Sequence, residues 1–150
     1  PDLMPLRPGT EGGSLEGNVS GADREGSIIV VVATDAPILP HQLKRVARRI
    51  SLGLARNGST SGNGSGDIFI AFSTANRDSA SELESPNNLE MLTNGDLNPL
   101  FAATVQATEE AVINAMVAAE TMTGANDVTV YALPHNRLRE VLRKYNRLVN

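Results

Sequence analysis

The sequence predicts an α+β fold in which helices pack on a β-sheet. Three observations carry this. The runs Ser27 to Thr34 and Ser65 to Ser73 are dense in β-branched and aromatic residues, as strands are. The segments from about 40 to 56 and from about 98 to 122 read as helices. A short strand and an amphipathic helix close the chain, so the order is strand–helix–strand–helix–strand–helix with no internal repeat.

Residues 1–26 come before the first strand and differ from everything after it. Pro1, Pro5 and Pro8 are followed by Gly9, Gly12, Gly13, Gly17, Gly21 and Gly26 among small and acidic residues. Few of these side chains can be buried to offset the entropy of ordering, so a mobile tether is expected. Ser27-Ile28-Ile29-Val30-Val31-Val32-Ala33-Thr34 then begins abruptly. A continuous run of this kind suits a strand buried on both faces. Thr34-Asp35-Ala36-Pro37 ends it with turn or cap chemistry.

In the first helix Leu43, Val46, Ala47, Ile50 and Leu54 recur at helical spacing, with Lys44, Arg45, Arg48 and Arg49 largely off that stripe. Together with Arg56, these cations are read as a solvated face. Asn57-Gly58 and the Ser/Gly/Asn run after it stop the helix. Residues 76–96 are polar, include Pro86 and Asn94-Gly95, and read as a long loop. Pro99 fits the first turn of the second helix and Gly124 its end. The interior of that helix is rich in Ala, Val, Ile and Met, so burial on more than one side is expected. A strand over 127–132 and a helix over 134–148 complete the chain.

At 150 residues the chain can hold one domain with its own core. A net charge of −4 offers no basic excess for nucleic acid, and 3% aromatic residues offer no stacking platform for bases. The absence of cysteine removes disulfides and thiolate metal sites. No apolar run approaches the length of a membrane span, so neither nucleic acid nor membrane is an expected partner. His41 and His135 lack nearby acidic ligands and are read as capping or surface groups; no metal or cofactor is expected. Pro1-Asp2-Leu3-Met4-Pro5 has neither the basic start nor the apolar stretch of a signal peptide. Without an initiator Met the chain reads as a processed piece, and the cytoplasm is the expected compartment, with the periplasm as the alternative.

Two places could carry chemistry. Gly26-Ser27 lies where the tether meets the first strand. A serine hydroxyl needs a base to act as nucleophile. At the first residue of a chain that base can be the α-amine, whose reference pKa of roughly 7.7–8.0 leaves much of it neutral near pH 7. Exposing the amine requires cutting the bond before Ser27. The serine can do this by attacking the Gly26 carbonyl, where no Cβ obstructs the bent backbone. On these residues alone, a linker ending at a strand is the commoner reading. The second place is Gly64-Ser65-Gly66-Asp67. If the strand starts near Ser65, then Ser65 and Asp67 share a face, and a carboxylate beside a hydroxyl can orient a proton relay. The glycines would let a substrate backbone approach. A solvated turn is the competing reading. A phosphate cradle is not: the loop follows a helix and enters a strand, and Gly-Lys-Ser/Thr is absent. Asp35 and Ser73-Thr74-Ala75-Asn76 read as turn residues.

Several motifs together resemble a known family. Gly-Ser-Ile-Ile-Val-Val-Val-Ala-Thr-Asp-Ala-Pro at 26–37 looks like the start of the small subunit of the DmpA-type peptidases, the L-aminopeptidase/D-esterase and β-peptidyl aminopeptidase enzymes. Gly64 to Thr74, Asn98-Pro99-Leu100-Phe101, Ala107 to Val112, Glu120 to Gly124 and Leu133-Pro134-His135 resemble later stretches in the same order. The resemblance implies a four-layer αββα sandwich akin to the N-terminal-nucleophile hydrolases and ornithine acetyltransferases. It implies a precursor that cleaves itself between Gly26 and Ser27, making residues 1–26 the end of an α subunit and 27–150 the β subunit. Ser27 matches the nucleophile, Ser65 the second serine that hydrogen-bonds it, and Asp67 an acidic partner that is glutamate in some members.

Further implications concern partners. The remainder of α would supply an oxyanion-hole asparagine and the groups that recognise the substrate's free amine. The αβ units would form a tetramer. Substrates would be short peptides, amides or esters with a free amino terminus, β-amino acid peptides among them. The alternatives are an acyltransferase on the related fold, whose nucleophile is threonine rather than serine, and an uncleaved structural module.

Overall fold

The computed structural model describes residues 26–77 and 88–148. The expected tether lies outside the described residues apart from Gly26. The chain divides into two units, residues 23–112 and a second that holds residues 113–150.

In the first unit β1 (Ile29–Thr34) and β2 (Ile68–Ser73) pair in parallel, joined through α1 (Pro40–Arg56). Ile29 lies across from Ile68 and Thr34 across from Ser73. After a 3₁₀ turn at Asn94–Leu97 comes α2 (Asn98–Ala118), whose residues up to Val112 belong to this unit. Ile38, Val46 and Leu97 form the core, with Val32, Leu43, Ala71, Leu100 and Phe101 packed against it.

Local chemistry accounts for the helix ends. Pro40 opens α1, and the Gln42 side chain accepts from the Leu39 N–H at 3.1 Å while donating to the Leu92 carbonyl at 2.8 Å. One buried amide thus caps a helix and fastens the stretch before α2. At the other end Gly58 (φ 94°) donates to Ala55 and Ser59 to Leu54, a Schellman closure. Where α1 meets α2, a Cβ on Gly53 would lie 2.6 Å from Thr108 Cβ and 2.7 Å from the Val105 carbonyl oxygen. Thr104 and Thr108 turn their hydroxyls back onto carbonyls of their own helix, at 2.7 Å each, so that contact leaves no orphaned polar group. Part of the basic stripe has a structural use. The Arg49 guanidinium lies 3.8 Å from the Phe101 ring centre and Arg56 pairs with Glu109 at 2.7 Å.

The second unit holds the end of α2, an antiparallel pair β3 (Met122–Thr123) and β4 (Thr129–Val130), and α3 (His135–Lys144). His135 Nε2 lies 2.9 Å from the Val117 carbonyl, near the last turn of α2.

Four expectations are corrected. The strands are not buried on both faces. Exposure alternates residue by residue, leaving Ile29, Val31, Ile68, Ile70 and Phe72 on an open face, Ile29 at 68%. Second, α2 ends at Ala118, because Met122 and Thr123 pair with Val130 and Thr129 instead. Gly124 consequently sits in the hairpin turn, its N–H bonded to the Val128 carbonyl, rather than capping a helix. Third, α2 is not buried on several sides; its fully buried residues are Thr104 and Thr108. Fourth, β2 begins at Ile68, so Ser65 and Asp67 stand on the approach to the strand rather than within it.

Candidate active site

The site grows out of the strand register. Parallel pairing with an offset of 39 residues sets Ile28 against Asp67 and Ser27 against Gly66. The Ile28 carbonyl accepts from the Ile68 N–H at 2.9 Å and its N–H donates to Asp67 Oδ1 at 3.1 Å, which pins the backbone beside Ser27 on both sides. Ser27 Oγ accepts from the Gly66 N–H at 3.0 Å. Gly66 therefore makes room for Ser27 itself. A Cβ there would stand 3.0 Å from Ser27 Oγ, tighter than most side-chain contacts, and at an ordinary 3.6 Å from its Cβ.

The Asp67 carboxylate collects hydroxyls and an amide. The Ser65 hydroxyl, which contributes most, the Ile28 N–H and the Ser61 hydroxyl all hold its carboxyl below the ordinary value against an opposing contribution from desolvation. The group is thus an anion across the neutral range, poised to accept rather than donate. Strand pairing brings Asp67 and Gly66 to the backbone and hydroxyl at Ser27, and Ser65 lines the cleft beside Gly26. The donor on Ser27 Oγ is the Gly66 amide. Ser27 and Gly26 are exposed. A polar cleft of about 240 Å³ opens beside them, lined by Gly26, Ser65 and the hydroxyl-bearing loop from Gly58 to Gly62. One participant was invisible in sequence. The Gly66 amide joins the site through a contact with Ser27, 39 residues earlier, and no local pattern marks it. Among the described residues no cluster of His, Asp and Glu could hold a metal ion.

The fold and this arrangement define a class. Over 82% of this chain the structure superposes with a TM-score of 0.75 and 53% identity on the L-aminopeptidase D-Ala-esterase/amidase of Ochrobactrum anthropi, a prototype serine aminopeptidase and a variant of the N-terminal-nucleophile hydrolase fold. The α+β fold is of that variant. The sequence profile of Peptidase family S58 matches residues 7–130, and the chain belongs to that family. It is 50% identical over 145 residues, 97% of its length, to the β-peptidyl aminopeptidase BapA of Sphingosinicella microcystinivorans, and 46% identical over 79% of its length to that of Sphingosinicella xenopeptidilytica. A Burkholderia β-aminopeptidase superposes over 79% of the chain with a TM-score of 0.69 and 41% identity. The chain spans about a third of the curated relatives, 36% and 30% of their lengths, and 35% of each of these two solved structures. No helix among the described residues is long and apolar enough to cross a membrane.

Proposed function

We propose that this chain is the self-processing, nucleophile-bearing part of a serine aminopeptidase. Residues 1–26 are the end of its α subunit and 27–150 its β subunit. The observation that carries the reading is the placement of Ser27. Its hydroxyl stands at the head of β1, bonded to the Gly66 N–H, with the Asp67 carboxylate on the neighbouring Ile28 amide and an open cleft beside Gly26. Membership of a peptidase family and relatives named as aminopeptidases support the same reading over the acyltransferase alternative.

The chemistry follows in two stages. In processing, Ser27 Oγ attacks the Gly26 carbonyl carbon and loses its proton. The Gly26–Ser27 C–N bond breaks, its nitrogen leaves protonated as the new α-amine, and water hydrolyses the resulting ester to a Gly26 carboxylate and a free Ser27 hydroxyl. In turnover the α-amine, or the Ser65–Asp67 pair, takes the Ser27 proton as Oγ attacks the carbonyl of the substrate's first residue. The amine or alcohol departs with a proton, and water resolves the acyl-enzyme. Oxyanion donors and the groups that bind the substrate's free amine come from the remainder of α. Such donors typically contribute about 3–4 kcal/mol. The substrates are short peptides, amides or esters with a free amino terminus, including β-amino acid peptides.

The bare face of Ile29, Val31, Ile68, Ile70 and Phe72 is where the second sheet of a four-layer sandwich packs, supplied by the rest of the protein. The αβ units assemble as tetramers. The test is the intact denatured mass of the protein expressed with its α portion. A fragment beginning at Ser27 is expected from the native sequence and none from Ser27→Ala, which also loses turnover. A cleaved and active Ser27→Ala protein overturns the reading.

A further inference from the structure

Glycine at position 66 is not there for its backbone. Among the described glycines only Gly58 has a positive φ, so the conformation of Gly66 is open to any residue. What calls for glycine is proximity: a Cβ at 66 would come within 3.0 Å of Ser27 Oγ. The Gly66 N–H approaches the same oxygen and donates to it at 3.0 Å. That geometry is held from the next residues along. The Ile28 N–H donates to Asp67 Oδ1 at 3.1 Å, and the Ile68 N–H donates to the Ile28 carbonyl at 2.9 Å. The β1–β2 ladder continues from Ile29 and Ile68 onward. The Gly66 N–H can therefore leave Ser27 only if the start of the ladder comes apart. The Asp67 carboxylate is an acceptor and offers no proton to an oxygen that is gaining negative charge.

We propose that the Gly66 main-chain N–H is a catalytic group: it stabilises the negative charge that Ser27 Oγ carries while its proton is away. The inference rests on the aminopeptidase reading. A serine hydroxyl has one proton and two lone pairs. The amide has only a proton to give, so it occupies one lone pair and turns the Ser27 O–H away from itself, toward a base. When the base takes that proton, charge builds on Oγ and the hydrogen bond from the amide strengthens. As the bond from Oγ to the carbonyl carbon forms, the charge passes to the carbonyl oxygen. When water cleaves the ester, the bond from carbon to Oγ breaks and the charge returns to Oγ, where the amide meets it again until the proton comes back. A donor already fixed in place needs no reorganisation at either moment. The role differs from that of an oxyanion hole, whose donors face the substrate's oxygen.

The test uses the protein expressed with its full α portion. In one variant glycolic acid stands at position 66, which turns the N–H into an ester oxygen and adds no atom. In a second, Gly66→Ala, the N–H stays and the new Cβ presses on Oγ. Ser27→Ala is the control. Self-cleavage is followed by mass, kcat and KM are measured on a small aminoacyl amide per cleaved chain, and thermal melting reports folding. The ester variant should lose about 100-fold or more in kcat with KM unchanged, as for other fixed donors to a developing charge, and should cleave itself more slowly. Gly66→Ala should lose about 10-fold in kcat, because Oγ is displaced while its donor remains. Both should melt within several degrees of the native protein. The inference is overturned if the ester variant keeps the native kcat, if its loss is confined to KM, or if neither variant folds. If only the ester variant fails to fold, Gly66→Ala decides by the same two criteria. Ser27→Ala separates the two levels. If it stays active, the nucleophile reading has failed. If it is inert while the ester variant is unimpaired, only the role of the Gly66 amide has.

Discussion

Residues 113–148 are richer in apolar side chains than residues 26–112, yet the two stretches solve burial differently. The first region encloses Ile38, Val46, Ile50, Leu54 and Leu97, and it satisfies its buried Gln42, Thr104 and Thr108 internally. In the second no described residue is buried, and Ile113, Met116, Met122, Val128, Val130 and Tyr131 all face outward. A run of apolar residues therefore states a need for a partner without saying whether the chain itself supplies one. The open face of β1 and β2 teaches the same lesson inside the first region.

Substitutions can break this contrast. Leu97→Ala should have the largest effect, about 2–5 kcal/mol off unfolding stability, because a completely enclosed side chain leaves a cavity. A chemical denaturation midpoint close to the native one would mean that the core does not depend on it. Gly53→Ala should cost about 1–3 kcal/mol, since its new methyl meets the Val105 carbonyl and Thr108 Cβ with no flexible group to give way. An unchanged melting temperature would show that α1 and α2 can part without penalty. At the small end, Val130→Thr should stay within about 0.5 kcal/mol in this chain alone. The same substitution in the protein with its α portion sharpens the comparison: a larger loss there measures how far assembly covers the hairpin.

Much of the first region was legible in sequence because its signals are local. Pro40 and Asn57-Gly58 bracket α1 where they were expected to, and the two strands fall within their β-branched runs. The features that no local pattern marks are long-range. Leu92 and Leu97 sit in a polar stretch with no periodicity, yet Leu97 is enclosed and the Leu92 carbonyl is held by Gln42, 50 residues earlier. The true end of α2 depends on Met122 and Thr123 finding partners across a hairpin, which competes with helix continuation. At the candidate site Ser27, Ser65 and Asp67 could be picked out from their motifs, whereas the contact of the Gly66 amide with Ser27 could not. Glycine at 66 looked like space for a ligand and proves to be space for Ser27.

The offset of 39 residues between β1 and β2 has a consequence for timing. Every group around Ser27 other than its immediate neighbours arrives through that pairing. Closing so large a loop is slow compared with forming α1 alone. Until the crossover closes, Ser27 is an ordinary serine in an extended chain and the bond before it is an ordinary peptide bond. On the proposed reading, a nascent or misfolded copy is therefore inert without any inhibitor, and topology acts as its safety catch.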